Sequence, residues 1–337
     1  MAVRPAEFYI PLENDELRCQ LCPRACVIRP GRAGVCRVRE NRGGELVTRN
    51  YGMVTSYGLD PIEKKPLYHF YPGSLIFSIG TLGCNLHCQF CQNWTIAHGD
   101  PRAVELDPGE AVEVAERERE NHGNIGIAYT YSEPTVWYEY VLETAELAHR
   151  RGLRNILVTN GYIQPEPLKR LLPLIDAMNI DVKGYREEFY RRWCRGGLAP
   201  VLRTVETAHQ HCHVELTNLV ITGLNDTREE LSELADWVRG ISPDIPLHLS
   251  RYFPNYRLDR PPTPLATLEM AYGIARERLN YVYLGNVGDW EGSDTDCPAC
   301  GQTLIVRRGY RVSITGLKGS RCRNCGERIP VVGLPEE

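Results

Sequence analysis

Lysine is scarce in this chain of 337 residues. Only five of its 39 basic side chains are Lys, and the rest are Arg. Long apolar runs are missing: nothing approaches the ~20 consecutive apolar residues that cross a bilayer. The opening stretch, MAVRPAEFYIPLENDELRC, holds no apolar core of signal-peptide length. A cytoplasmic protein with no membrane association is therefore expected. Hydrophobic residues at 42% and charged residues at 24% exclude disordered, collagen-like and coiled-coil classes. An excess of positive charge is also absent. The net charge is -4, which argues against a specific nucleic-acid binder. The charge is uneven: residues 1–50 carry nine Arg against six acids and residues 297–337 seven basic groups against three acids, around an acidic centre.

Cysteine is what the chain has in excess. Thirteen are present, and eleven fall into three groups: 19, 22, 26 and 36; 84, 88 and 91; 297, 300, 322 and 325. Only Cys194 and Cys212 stand alone. Cytosolic thiols stay reduced, so such grouping points to metal or redox chemistry rather than to disulfides.

Between residues 61 and 290 strand and helix signals alternate. Strands are predicted at Leu75–Ile79, Ile125–Tyr131, Asn155–Thr159, Met178–Val182, Val214–Ile221, Pro246–Phe253 and Tyr281–Val287. Helical stretches separate them, including Pro108–Asn121, Thr135–Arg151, Pro167–Ile175, Glu187–Arg195, Pro200–Gln210, Arg228–Val238 and Ala266–Leu279. Alternation of this kind implies a parallel sheet with right-handed crossovers. Six or seven βα units are short of the eight of a closed barrel, so the expected fold is α/β, a partial (β/α)6-type TIM barrel. Its site would lie at the C-terminal ends of the strands. Residues 1–60 and 291–337 lack the alternation and read as small Cys-rich modules.

The segment Gly83-Cys84-Asn85-Leu86-His87-Cys88-Gln89-Phe90-Cys91 directly follows the first predicted strand. Three thiolates on one tight loop suit three corners of a [4Fe–4S] cubane and leave the fourth iron open. Zinc with His87 as a fourth ligand is the plainer alternative. The spacing resembles the Cys-x-x-x-Cys-x-x-Cys signature of radical S-adenosylmethionine (SAM) enzymes. The whole chain resembles the radical SAM component of the AmmeMemoRadiSam system, related to pyruvate formate-lyase activating enzymes. The resemblance extends to Cys19-Gln20-Leu21-Cys22-Pro23, Asp60–Leu67, Tyr129–Thr135, Asn179–Gly184 and the terminal Cys-x-x-Cys pairs.

What the resemblance implies is an enzyme that cleaves SAM to a 5′-deoxyadenosyl radical, which abstracts hydrogen from a substrate. It implies SAM contacts at the strand ends. Phe90 matches a position lying along the adenine, with ordinary core packing as the alternative. Ser132 and Glu133 stand where relatives carry Gly-Gly-Glu-Pro, with Tyr131 and Ser132 replacing the glycines. Thr159 and Asn160 end the third strand. Asp181 and Lys183 are two apart, share a strand face, and are candidate catalytic or cofactor-binding groups, with a simple ion pair as the alternative. Asn218 and His248 are weaker candidates. The resemblance further implies an electron donor such as ferredoxin or flavodoxin, and Memo- or AMMECR-type protein partners. Activation of a glycyl-radical enzyme and a non-catalytic zinc-ribbon binding protein on a barrel scaffold are the other functional readings.

Cys297-x-x-Cys300 and Cys322-x-x-Cys325 each precede a glycine and flank a strand-like stretch, Leu304–Ile314, the pattern of a zinc ribbon. Cys19, Cys22, Cys26 and Cys36 suit zinc or a second [4Fe–4S] cluster, with zinc the first choice. Eight Arg between residues 18 and 49 form either a solvated face or a docking surface for an acidic partner or phosphate.

Overall fold

The computed structural model describes residues 3–288 and 292–334. The expected border between barrel and ribbon, at 290/291, lies outside the described residues. An eight-stranded sheet organises the chain. It opens with β1 (Ser56–Pro61), which pairs antiparallel with β2 (Leu75–Gly80). Six further strands then add in sequence order, all parallel: β3 (Asn124–Tyr129), β4 (Arg154–Thr159), β5 (Ala177–Asp181), β6 (His213–Val220), β7 (Leu247–Arg251) and β8 (Val282–Gly285). β1 and β8 form the two edges, so the barrel is open. β1 straddles the border expected at 60/61, which ties the N-terminal segment into the same sheet.

Crossover helices cover the outer face: α1 (Pro108–His122), α2 (Tyr138–Arg150), α3 (Pro165–Leu171), α4 (Leu198–His209), α5 (Arg228–Ile241) and α6 (Leu265–Arg276). Their limits follow local chemistry. Asp107 and Glu110 form a reciprocal capping box at the start of α1, and Gly123 closes it in the left-handed region. Thr227 caps α5 by accepting from the Glu230 N–H. Alternate residues of β6, among them Val214, Leu216 and Val220, are buried and join the main apolar core with Leu231, Leu234 and Val238 of α5.

The segment expected to be helical over 187–195 is a short α-turn, Glu187–Phe189, running into a π-helix, Tyr190–Cys194, that ends at Arg195 in the left-handed region. The strand-like stretch 304–314 is a hairpin rather than one strand. β9 (Thr303–Arg308) and β10 (Arg311–Ile314) pair antiparallel about Gly309, whose positive φ makes the reversal.

The lower part of the barrel is filled by its own chain. Residues 62–71 cross the interior, where Asn179 of β5 donates to the Pro66 carbonyl and the Glu215 carboxylate of β6 accepts from the backbone N–H groups of Tyr68 and His69. The C-terminal tail pairs alongside this plug, with Tyr71 N–H donating to Val332 and Val332 N–H to His69. No helix among the described residues is long and apolar enough to cross a membrane.

Candidate functional site

The upper rim of the barrel gathers most of the expected residues. The Cys84–Cys91 loop leaves β2 through Gly83, whose φ is +94°. A side chain there would meet the Cys36 carbonyl oxygen at 2.8 Å and Val38 at 2.9 Å. Glycine is therefore required for the N-terminal segment to press on this loop. The loop is held from three sides. Arg24 Nε donates to the Asn85 carbonyl at 2.8 Å. Asn85 Nδ2 donates to the Tyr162 carbonyl at 2.7 Å. From the π-helix, the Trp193 and Cys194 carbonyls accept from the N–H groups of Gln89 and His87.

Burial pushes the Cys84 thiol well up and the Cys91 thiol up to about 11. Cys88 goes the other way: a hydrogen bond from Cys194 outweighs burial, and Lys183 lies close by. Cys194 was not singled out from sequence. It carries no motif, and only the π-helix brings it to the loop.

Glu133 organises the neighbouring strand ends. It follows β3 and is almost fully buried. Its Oε1 accepts from Thr135 N–H at 2.9 Å and from Thr159 Oγ1 at 2.7 Å, and its Oε2 from Asn160 N–H at 2.8 Å. Burial raises its pKa, while these donors counter that rise. Asn160 in turn donates through Nδ2 to Asn85 Oδ1 at 2.9 Å and, more weakly, to Cys84 Sγ at 3.6 Å. One chain of contacts therefore runs from Glu133 through Asn160 to the first cysteine of the triplet.

Tyr131 takes up the place of an expected glycine in a glycine-like conformation, φ +66°. Its carbonyl accepts from Asn93 Nδ2 at 2.6 Å, and its hydroxyl donates to Asp60 Oδ2 at 2.6 Å. Asp60 also pairs with Lys64 and Lys65, each at 2.7 Å. Burial opposes the charge of Asp60, but these three partners hold its carboxyl well below the usual range. Ser132 follows, half-buried at the same rim.

Lys183 and Asp181 form an ion pair at 2.9 Å at the end of β5. Burial opposes the ammonium charge, but Asp181 and the thiols of Cys88 and Cys194 raise its pKa well above the usual value. The pair thus stands beside the triplet. Phe90 is buried, with its ring 5.9 Å from that of Phe189.

Two further candidates lie on β6 and β7. Asn218 alternates with Thr217 on β6, and its Nδ2 donates to the Val182 carbonyl. His248 is near the start of β7, where its Nε2 lies 2.7 Å from Glu215 and its ring packs edge-on against Tyr68. Asn218 thus lies beside the end of β5, and His248 lies against the plug.

The C-terminal quartet is assembled. The sulfurs of Cys297, Cys300, Cys322 and Cys325 lie within 4.8 Å of one another, with Cys297–Cys325 at 3.6 Å and Cys300–Cys322 at 3.7 Å. A zinc ion about 2.3 Å from each of four tetrahedral sulfurs sets them about 3.8 Å apart, so the donor set fits such an ion. Three of the N-terminal arginines bond other parts of the chain, Arg37 among them while exposed. Arg39 is buried against Glu139 at 2.9 Å, Arg37 donates to the His98 and Gly99 carbonyls, and Arg24 holds Asn85.

Comparison with known proteins agrees with this geometry. The profile of the Radical SAM superfamily matches residues 78–238, which run from within β2 into α5. An uncharacterised protein of Methanocaldococcus jannaschii is 45% identical over 339 residues, covering 98% of this chain and all of that protein. A pyruvate formate-lyase-activating enzyme of Listeria monocytogenes is 23% identical over 176 residues, 48% of this chain and 69% of that enzyme. Among solved structures, a radical SAM methyltransferase from Sphaerobacter thermophilus superposes with a TM-score of 0.51 at 20% identity, covering 69% of this chain and 71% of that one.

Proposed function

The chain belongs to the radical SAM superfamily, and from that premise we propose that it cleaves SAM reductively at a [4Fe–4S] cluster held by Cys84, Cys88 and Cys91. When bound, the cluster supplies the electron that breaks the sulfonium, giving methionine and a 5′-deoxyadenosyl radical that takes hydrogen from a substrate. The observation that carries this reading is the line of contacts from Glu133 through Asn160 to Cys84 Sγ. It couples three strand ends to one thiolate.

The protein's residues act by positioning. Asn160 donates toward the Cys84 sulfur, a contact of the kind that tunes cluster potential. The Lys183 ammonium and Asp181 carboxylate offer opposite charges at the rim to the charged groups of a bound amino acid moiety. Glu133, engaged by three protein donors, holds Thr159 and Asn160 rather than ligand. Cys297, Cys300, Cys322 and Cys325 hold zinc and brace the barrel's end.

In this reading the protein is the radical SAM component of an AmmeMemoRadiSam system. It works in the cytoplasm with a low-potential donor of ferredoxin or flavodoxin type and with Memo- or AMMECR-type partners. The likeness to a glycyl-radical activating enzyme covers about half the chain and supports the shared chemistry of SAM cleavage, not a shared substrate. The test is anaerobic reconstitution with iron and sulfide, followed by SAM and dithionite. Formation of 5′-deoxyadenosine that requires both reductant and the three cysteines is expected. A reconstituted protein that forms none would refute the reading and leave a scaffold that binds without catalysis.

A further inference from the structure

The N-terminal cysteines and the C-terminal cysteines differ in geometry. Among the described residues, only the C-terminal quartet gathers three or more such ligand atoms within 4.8 Å of one another. Cys19, Cys22, Cys26 and Cys36 instead line one enclosed cavity at wider spacing. The Cys84, Cys88 and Cys91 sulfurs are spread in the same way. A single tetrahedral ion draws its four sulfurs to about 3.8 Å from each other. A cubane holds one thiolate on each outward iron corner and so keeps its sulfurs farther apart.

The cavity wall provides a second, independent observation. Arg24 and Arg39 both line it. Each carries a buried N–H group without an acceptor: Arg24 at Nη2 and Arg39 at Nε. Arg39 is only 1% exposed, and its other nitrogens are engaged by Glu139 and the Glu7 carbonyl. A buried guanidinium N–H left unpaired is costly, and water has little access to this one. Four thiolates around an iron–sulfur core form a net anionic centre whose bridging sulfides accept hydrogen bonds. Such a centre would satisfy both arginines. The fold also shapes this place from outside. Gly34 lies beside Cys26, at ordinary contact distance from its sulfur, and Asn85, the residue after Cys84, forms part of the wall.

We propose that Cys19, Cys22, Cys26 and Cys36 hold a second [4Fe–4S] cluster, whose cavity is walled in part by Asn85 of the Cys84–Cys91 loop. The proposal sets this cluster in place of zinc, the first choice from the sequence. The spacing of two, three and nine residues along the chain leaves both metals open, whereas the spread of the sulfurs and the two orphan guanidinium groups favour the larger anionic centre. All four corners have protein ligands, so this cluster binds no SAM.

Metal and acid-labile sulfide analysis of anaerobically reconstituted protein tests the assignment without reference to activity. The intact protein is expected to hold about eight irons, about eight sulfides and about one zinc per chain. Two [4Fe–4S] sites and one ribbon account for that content. Replacing Cys84, Cys88 and Cys91 together by Ala should leave about four irons and four sulfides. Adding Cys22→Ser and Cys26→Ser should remove them. About four irons with about two zincs in the intact protein would overturn the proposal while leaving the catalytic cluster in place. Should the triple variant not fold, Mössbauer spectra of the intact protein decide. Two cluster populations, of which SAM perturbs one, support the second cluster, and a single SAM-sensitive population overturns it.

Discussion

Glu133 shows how much of this site depends on single side chains. Its carboxylate receives three donors at 2.7–2.9 Å from two neighbouring segments. Glu133→Gln keeps the shape but places an NH₂ group where donors already point. A hydrogen bond to a charged group contributes about 1.5–3 kcal/mol, so in a chain of this length the melting temperature should fall by roughly 2–4 °C. Iron content should stay full and SAM affinity should change less than stability. A variant with unchanged melting temperature and a Kd for SAM raised tenfold or more would instead make Glu133 a direct ligand of the methionyl ammonium. At this scale the sequence was legible where chemistry imposes a spacing. The triplet, Glu133, Asn160 and the Asp181–Lys183 pair all reach the rim. Cys194 and Asn85 were not legible, because their importance comes from a π-helix and from the close approach of the N-terminal segment. The contacts of His248 with Glu215 and Tyr68 were not legible either, because position on a strand does not reveal what a neighbouring segment brings beside it.

The plug formed by residues 62–71 is the element on which the barrel's lower half depends. Its backbone N–H groups end on Glu215, which also accepts from His213 and His248 at 3.0 and 2.7 Å. Burial opposes the Glu215 charge, but the two imidazoles hold its carboxyl well below the usual range. His69 is pushed down to about 3, chiefly by burial, and so stays neutral while donating to or accepting from the Tyr283 hydroxyl at 2.6 Å. Both groups bind protons more readily when unfolded. The stability they contribute is therefore present near neutrality and is lost as pH falls, from about 6.5 for His69 and from about 4.3 for Glu215. Hydrogen-exchange protection factors measured from pH 7 to pH 4.5 should fall in residues 62–71 before they fall in β4 and β5. Uniform protection across the sheet would show that the plug is held by its apolar contacts alone. The alternation of strands and helices was readable because each parallel strand is a short buried run. The plug was not, since a segment rich in Lys, Pro, Tyr and His has the composition of a surface loop.

In the whole molecule the C-terminal ribbon is not a free appendage. Its core residues Cys297, Leu304, Ile305, Leu317, Cys322, Ile329 and Val331 form one apolar cluster with Tyr281 and Tyr283, at the last strand of the barrel. Arg307 is buried, donates to the Tyr68 carbonyl at 2.7 Å and lies 4.3 Å from the centre of the Tyr68 ring. Small metal modules draw much of their folding energy from the ion. Cys322→Ser should therefore release about one zinc per chain and also loosen β8 and the plug through Arg307, visible as raised proteolysis in residues 62–71 as well as in the ribbon. Cleavage confined to residues beyond 292 would make the ribbon independent. The sequence pattern pointed to the ribbon but described it as one strand, because the reversal at Gly309 interrupts neither the apolar nor the charged residues around it. Electron paramagnetic resonance of the reduced protein tests most directly whether the Cys84–Cys91 loop holds a cluster with an open iron. Adding SAM labelled with nitrogen-15 at the amino group should shift the g-values of one cluster and produce hyperfine coupling to the label, both absent when Cys84, Cys88 and Cys91 are replaced by Ala. A reduced cluster whose spectrum does not respond to saturating SAM would contradict the account.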